Sequence, residues 1–463
     1  MEHYIGPKAL LWQKLAVKVK RDVIMGDILL GALRCGATFL HIECGLYTSR
    51  ELTVLLDRCN AIIQRYAEEC LPWPVSIGII CELSGPRARV QFAPDGSDLV
   101  QALEQQRITL TGDGSFENQC FDEVKYVTNF DQLQQRSCVG DVLSIGPVKL
   151  TVERIVHGYI TCRVTRAGFI ERFSVVKIDR EENSTTEQRD FEMSSTLEEA
   201  ERVMGNGCKF IIVPQMSAKS LHLFVGSLKA LEQIQVIAHA SNTYADPNSH
   251  QSIDAFVTKD VVLLQQTKSI GKAVLCNLKD EQISETIVQA DVIIATAGEL
   301  TRIQDYLIHA NGTQLEAQLS NRLLDPDEES MATCLNCCAQ QFRTSAIILP
   351  WGKNNIELAL ELYLKNPLCV VLILHPSAAD VNRILLRKHL VPIIVPKLAA
   401  VTSSTQKRIH RAIAYGRRFG YLHDGSCIVA GRIGHVGGSS EPTLEVRYVP
   451  LECAHKELEQ ESD

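Results

Sequence analysis

The chain has 463 residues, 45% hydrophobic and 22% charged, which allows sizeable cores and about two to four domains. Its 47 Lys and Arg against 55 Asp and Glu leave a net charge of −8, so neither a nonspecific nucleic-acid surface nor an anionic-membrane surface is favoured. Residues 1–30 lack the apolar core of a signal peptide, and no apolar run reaches the roughly 18 residues of a spanning helix. A cytoplasmic protein is therefore expected, with no membrane and no nucleic acid among its partners. The 16 cysteines then read as small buried hydrophobes rather than a disulfide framework, and the sequons at Asn183 and Asn311 as silent.

In chain order, Asp27 to Arg34 reads as a helix, Ala37 to Ile42 as a strand and Arg50 to Glu69 as a longer amphipathic helix. Ser76 to Cys81 is short, apolar and isoleucine-rich, a buried strand delivering the Gly85-Pro86 turn with Glu82, Arg87 and Arg89 beside it. From Phe92 to Lys177 the texture changes to short β-like runs broken by glycines, Arg107 to Leu110, Val124 to Val127, Asp141 to Val152 and Tyr159 to Val164 among them, a small all-β insert. Glu181 to Arg189 is a polar connection, and Ser194 to Met204 resumes a helix capped by Ser194 or Ser195. The apolar runs beginning at Phe210, Ile234, Ala273 and Ala290 alternate with helix-like segments, as parallel barrel strands do. After the acidic break Asp325 to Ser330, strands at Ser345, Val370, Val391 and Cys427 alternate with helices, an open doubly wound α/β domain.

The Val75 to Val90 stretch resembles the Asp-Thr-Lys-Gly-Pro-Glu-Ile-Arg strand end of pyruvate kinases, with Gly85, Pro86 and Arg89 matching. Gly36 to Leu46 is similar in its leading glycine and apolar pattern to that family's Gly-Met-Asn-Val-Ala-Arg-Leu-Asn-Phe-Ser-His segment, and Ala290 to Glu299 to its Ala-Asp-Cys-Ile-Met-Leu-Ser-Gly-Glu strand. The family's first strand, ending Thr-Ile-Gly-Pro, has no counterpart, because Ile5-Gly6-Pro7 lies too far upstream. The resemblance implies a TIM (β/α)8 barrel over residues 1–91 and 190–329. It adds an inserted small β-barrel lid over 92–189, and a C-terminal open doubly wound α/β domain over 330–463 for effector binding and oligomerisation.

The family moves a phosphoryl group from phosphoenolpyruvate to ADP, and such transfer depends on cations and metals at the moving charge. Its magnesium is held by Glu and Asp, its potassium by Asn, Ser, Asp and Thr oxygens. The family's catalytic lysine aligns with His239, and its first metal carboxylate with Ser241. Asp254 and Asp260 are poor substitutes for the second. At the phosphate-binding stretch this chain has His41, Glu43 and Gly45, and Leu278 stands for the threonine beside the enol carbon. The substrate pocket is thus expected around His41, Gly85, Pro86 and Leu278, with Glu43, Glu82 and Ser241 as degraded metal positions. Arg89 is the catalytic-type residue retained, reading equally as an anion binder or as a packed ion-pair partner. His239 reads as a polar residue of a vestigial pocket.

Gly352, Lys353, Asn354 and Asn355 occupy the position of the family's effector-phosphate loop, and Gly431 to Pro442 that of its glycine-rich loop. Cys334-Leu-Asn-Cys-Cys338 lacks a second ligand pair for zinc and reads as buried helix packing. The basic run from Lys407 to Arg418 has the spacing of a solvated helix face. The expectation is a pyruvate-kinase-like protein with impaired catalysis, a noncatalytic subunit, sensor or scaffold. It would be a homo-oligomer, or a hetero-oligomer with a true pyruvate kinase. The alternative is an active, diverged pyruvate kinase using phosphoenolpyruvate, ADP or ATP, magnesium and potassium.

Overall fold

The computed structural model describes residues 11–20, 27–85, 87–92, 98–116, 123–179, 193–216, 218–240, 252–278, 285–321, 330–350, 355–395, 405–436 and 439–450. The chain opens with β1 (Lys14–Lys18), α1 (Ile28–Arg34), β2 (Phe39–Glu43), α2 (Ser49–Glu69) and β3 (Gly78–Glu82). It then builds β4 (Arg89–Gln91), β5 (Leu99–Ala102), β6 (Arg107–Thr111), β7 (Val124–Thr128), α3 (Phe130–Arg136), β8 (Val142–Ile145), β9 (Val148–Val156), β10 (Tyr159–Arg166), β11 (Gly168–Glu171) and β12 (Val176–Ile178). Next come α4 (Met193–Gly205), β13 (Phe210–Ile212), α5 (Ala218–Leu231), β14 (Gln235–His239), β15 (Ala255–Val257), α6 (Val261–Ser269), β16 (Ala273–Asn277), α7 (Glu285–Gln289), β17 (Val292–Ala295) and α8 (Leu300–Asn321).

β1, β2, β3 and β13 to β17 form a closed parallel barrel in the order β1-β17-β16-β15-β14-β13-β3-β2. Near-continuous apolar runs suit such strands, because both faces are buried. Alternate residues divide accordingly between two cores. Ala16, Phe39, Ile80, Phe210, Ile237 and Val292 fill the barrel interior, whereas Leu15, Leu40, Ile79, Ile211, Val236 and Ile293 face the surrounding helices. α2 shows the helical side of this arrangement. Thr48 and Glu51 close a capping box at its start, and Leu52, Leu55, Leu56 and Cys59 supply its buried stripe.

The segment between β3 and β13 forms a seven-stranded sheet ordered β12-β8-β9-β10-β6-β7-β4, with β5 and β11 as a separate pair. Its ends meet, since Val176 N donates to Ala88 O and Val90 N to Ser174 O, and Arg89 bridges Val175. Its core, including Val90, Leu110, Leu143, Leu150 and Ile160, is separate from both barrel cores.

Past α9 (Met331–Gln341), the chain adds β18 (Ala346–Leu349), α10 (Asn355–Leu364), β19 (Val370–His375), α11 (Ala378–Leu385), β20 (Leu390–Ile394), α12 (Thr405–Arg418), β21 (Cys427–Val436) and β22 (Ser439–Tyr448). The sheet order is β20-β19-β18-β21-β22, parallel but for the last strand. Separate apolar clusters cover its two faces. Among the described residues no helix is long and apolar enough to cross a membrane.

Several expectations are corrected. A first barrel strand exists: Lys14–Lys18 pairs with β2 and β17. A further strand, Ala255–Val257, lies between β14 and β16. Ser195 sits inside α4 rather than capping it, as does Ser194. The Asp141 to Val152 run is two strands turning at Gly146. Of the Gly431 to Pro442 stretch, Gly431 to Val436 and Ser439 to Pro442 belong to a long antiparallel ladder rather than a loop, and the two residues between them lie outside the described residues. In α9 the buried residues are Ala332, Leu335, Asn336 and Ala339, while Cys334 is exposed and Cys337 and Cys338 are half-buried. The polar connection Glu181 to Arg189 falls outside the described residues.

Candidate functional site

The carboxyl ends of the barrel strands are where a (β/α)8 protein presents its chemistry. Cross-strand register fixes which side chains meet there. Lys18 pairs with His41, Glu43 with Glu82, and Glu82 with Ile212. His239 ends β14 on the same face.

Glu82 is the centre of the group. Its Oε2 lies 3.2 Å from His41 Nε2 and its Oε1 lies 3.8 Å from His239 Nε2. Burial pushes the Glu82 carboxyl up, but the close contact with the His41 ring and the charges of His239 and Arg87 outweigh it, so Glu82 stays below the usual carboxylate range. His239 is moved the other way. Burial disfavours its imidazolium more than Glu82 favours it, so the ring is neutral at pH 7. The site therefore holds an ionised carboxylate with one imidazole at each oxygen.

A pH prediction follows from the direction of the Glu82 shift. A carboxyl depressed in the folded state contributes stability that is fully present above its unfolded value, near 4.5. That contribution is lost as pH falls through the lower folded value. Replacing His41 by Leu removes that polar contact, while burial, His239 and Arg87 remain. The Glu82 midpoint, followed by carboxyl NMR, is expected to rise in His41→Leu relative to the unaltered chain.

The other residues gather around this centre. Lys18 Nζ donates to Leu278 O at 2.7 Å, so Leu278 serves through its carbonyl while its side chain is buried. Arg89 donates from Nη1 to Phe173 O at 3.1 Å, and its guanidinium packs on Gly45, where a Cβ would lie 2.9 Å from Nε. Its pKa is lowered by burial and by Arg87 against the pull of Glu43, Glu82 and Glu199. Arg89 thus ties the insert sheet to the barrel, and among the described residues it makes no ion pair. Two further side chains reinforce that seam: Asn129 Nδ2 donates to Gly85 O and Arg87 O, and buried Arg172 pairs with Glu51 at 3.3 Å. Gly85 has φ +66° and leaves room for Pro214, which would sit 2.6 Å from a Cβ.

Sequence reasoning missed Glu199. From α4 it accepts Ser84 N at 2.8 Å and Ser84 Oγ at 2.5 Å, and burial raises its pKa despite both bonds. No local motif marks it, since the partner lies 115 residues away. Lys18 was also missed, as part of an unrecognised strand. Beside it a cavity of about 470 Å³ opens between α1 and the turn after β17, lined by Lys18, Lys20, Cys35, Thr296, Gly298 and Thr301.

The remaining sequence candidates divide. Asp260 caps α6 by accepting Val262 N and Leu263 N, and Asp254 pairs with Lys229 beside the start of β15. Neither joins the Glu82 group. Asn355 is buried at the start of α10, with Nδ2 donating to Leu349 O and Pro350 O, so its amide fixes the turn. Pro86, Ser241, Gly352, Lys353 and Asn354 lie outside the described residues.

The donors also test a divalent cation. Magnesium prefers several oxygens with room for water, yet both Glu82 oxygens face imidazoles. Among the described residues no group of three His, Cys, Asp or Glu side chains is set to hold a metal ion. The described part of this site does not fit magnesium. Compared with known sequences, the chain matches no protein-family model and no curated protein.

Proposed function

We propose that this is a pyruvate-kinase-like barrel protein whose transfer site is degraded, and that it acts as a noncatalytic subunit, ligand sensor or scaffold. The observation that carries the reading is the engagement of Glu82 by His41 and His239. Where the resembling family has a cationic lysine, His239 is neutral at pH 7. Losing one electrostatic stabiliser typically costs about 100- to 1000-fold in turnover, and here the lysine and a metal carboxylate are replaced together.

In this reading residues 1–91 and 190–329 are the barrel, 92–189 a lid hinged over the strand ends, and 330–463 the domain for effector contacts and oligomerisation. The protein is cytoplasmic, and its ligand is a small phosphorylated carboxylate such as phosphoenolpyruvate. Its assembly is a homo-oligomer or a hetero-oligomer with a true pyruvate kinase.

Lys18 and Arg89, cations at the same mouth, favour a second reading, a diverged transferase still using phosphoenolpyruvate and ADP with magnesium and potassium. A coupled pyruvate-release assay on the purified chain decides between them. The expected result is no turnover above background. Turnover on the order of 1–1000 per second, the ordinary enzyme range, abolished by Arg89→Ala, would sink the first reading.

A further inference from the structure

Far from the site just described, at the amino-terminal mouth of the barrel, the turn from α11 into β20 enters the barrel itself. Leu385 and Leu386 pack in the interior core with Ala16, Phe39, Phe210 and Val292. The next three residues, Arg387, Lys388 and His389, are all buried. His389 N donates to Trp12 O at 2.9 Å, its ring lies 4.8 Å from that of Trp12, and Lys388 N donates to Asp291 Oδ1 at 3.2 Å. The C-terminal sheet is thus fastened to the barrel through a segment that carries three basic side chains into the interior.

Counter-charge is scarce there. Asp291 is fully buried and accepts Val274 N and Tyr363 Oη, with Lys268 Nζ 3.8 Å away. Asp254 acts on Arg387 and Lys272 from farther out. Against these stand Lys14 from β1, Lys268 from α6, Lys272 before β16, and Arg383, Arg387, Lys388 and His389 from the docking segment and its helix. Among the described residues no carboxylate lies within ion-pair distance of the Lys14 or Lys388 ammonium. The His389 ring faces the Cys369 backbone without a well-formed hydrogen bond from either nitrogen.

We infer that Leu385–His389 is a proton-released latch: it holds the C-terminal sheet in the barrel mouth while Lys388, Lys14 and His389 are neutral, and loosens as they are protonated. Burial brings Lys14 down to about 8 and Lys388 to about 7 from the ordinary 10.5. An undocked lysine therefore binds a proton over a range in which the docked one does not. Opening is favoured as pH falls from 10.5 toward those values, by up to about tenfold per pH unit per lysine. Below them the lysine contribution levels off. His389, lowered chiefly by burial and by the charges of Lys388 and Lys268, adds its own uptake below 6.5.

The test uses the full chain and hydrogen exchange, read as protection factors. Between about pH 8 and pH 7, protection over Leu385–His389 is expected to fall about tenfold while the β9–β10 ladder stays constant. In Lys388→Met the fall shrinks to less than about threefold, and the urea midpoint near pH 7.5 rises above that of the unaltered chain. Lys388→Arg, which cannot discharge, lowers that midpoint. A Lys388→Met chain that is less stable, does not fold, or keeps the full pH dependence overturns the latch, because each outcome means that the ammonium is needed rather than merely tolerated.

Discussion

Asp291→Ala is expected to lower the stability of the chain by about 3–5 kcal/mol, the cost of breaking a buried charged network by removing one partner. Domains of this kind are held by only about 5–15 kcal/mol, so the variant should be largely unfolded at 37 °C or need a stabilising osmolyte to be purified. The carboxylate is fully buried at the head of β17 and serves a strand, a helix and the docking segment at once. It takes Val274 N from β16 at 2.8 Å, Lys388 N from the docking segment at 3.2 Å and Tyr363 Oη from α10 at 3.0 Å. Burial first, then Asp291 itself, holds the Tyr363 phenol well above its usual value, so the tyrosine remains a donor to any accessible pH. Alanine would strand all three donors and leave Lys268 and Lys388 facing each other. Urea unfolding followed by circular dichroism reads the loss; a midpoint shift worth less than about 1 kcal/mol would show that the hub is replaceable by water.

The second large effect is expected from Gly78→Val. β3 starts at Gly78 between two aromatic rings, and a Cβ there would lie 2.7 Å from Phe39 and 2.8 Å from Phe210. Those rings meet edge to face, with centroids 5.1 Å apart, inside the barrel. Neither can retreat without displacing the interior core. A branched side chain should cost about 3 kcal/mol, the upper end of ordinary overpacking. Because the same strand ends at Glu82, the strain reaches the site, and the His41–Glu82 distance of 3.2 Å should lengthen. Thermal unfolding measures the first effect and the Glu82 titration the second. An unchanged melting point would mean that Phe39 finds another rotamer.

Much of this fold is legible in the residues. Strands buried on both faces, such as Gly78–Glu82 and Val292–Ala295, announce themselves as apolar runs between turn signals. Lys14–Lys18 does not, because its apolar centre of three residues is flanked by lysines, one buried at the barrel mouth and one reaching Leu278 O. Ala255–Val257 is only three residues long and follows a polar stretch. At the site, Glu82, His41, His239 and Arg89 were visible as chemistry-bearing residues at strand ends, but their pairing was not. That Glu82 would meet two histidines depends on register around a closed barrel, and Glu199 reaches Ser84 from a helix beyond the whole insert.

Barrel closure also has a history within each chain. β1 finds one neighbour, β2, soon after synthesis, but its other neighbour is β17, so Lys14 waits for Val292. In the interval the chain makes the entire insert sheet, whose β8–β9 and β9–β10 ladders join near neighbours. Contacts of short separation form first, and distant ones bear the loop-closure cost. The insert should therefore mature early on the ribosome while β1 keeps an unpaired edge, the kind of exposed strand on which nascent chains aggregate. The lysines at both ends of β1 are the charges that blunt such an edge, which gives that short strand a role during synthesis as well as after it.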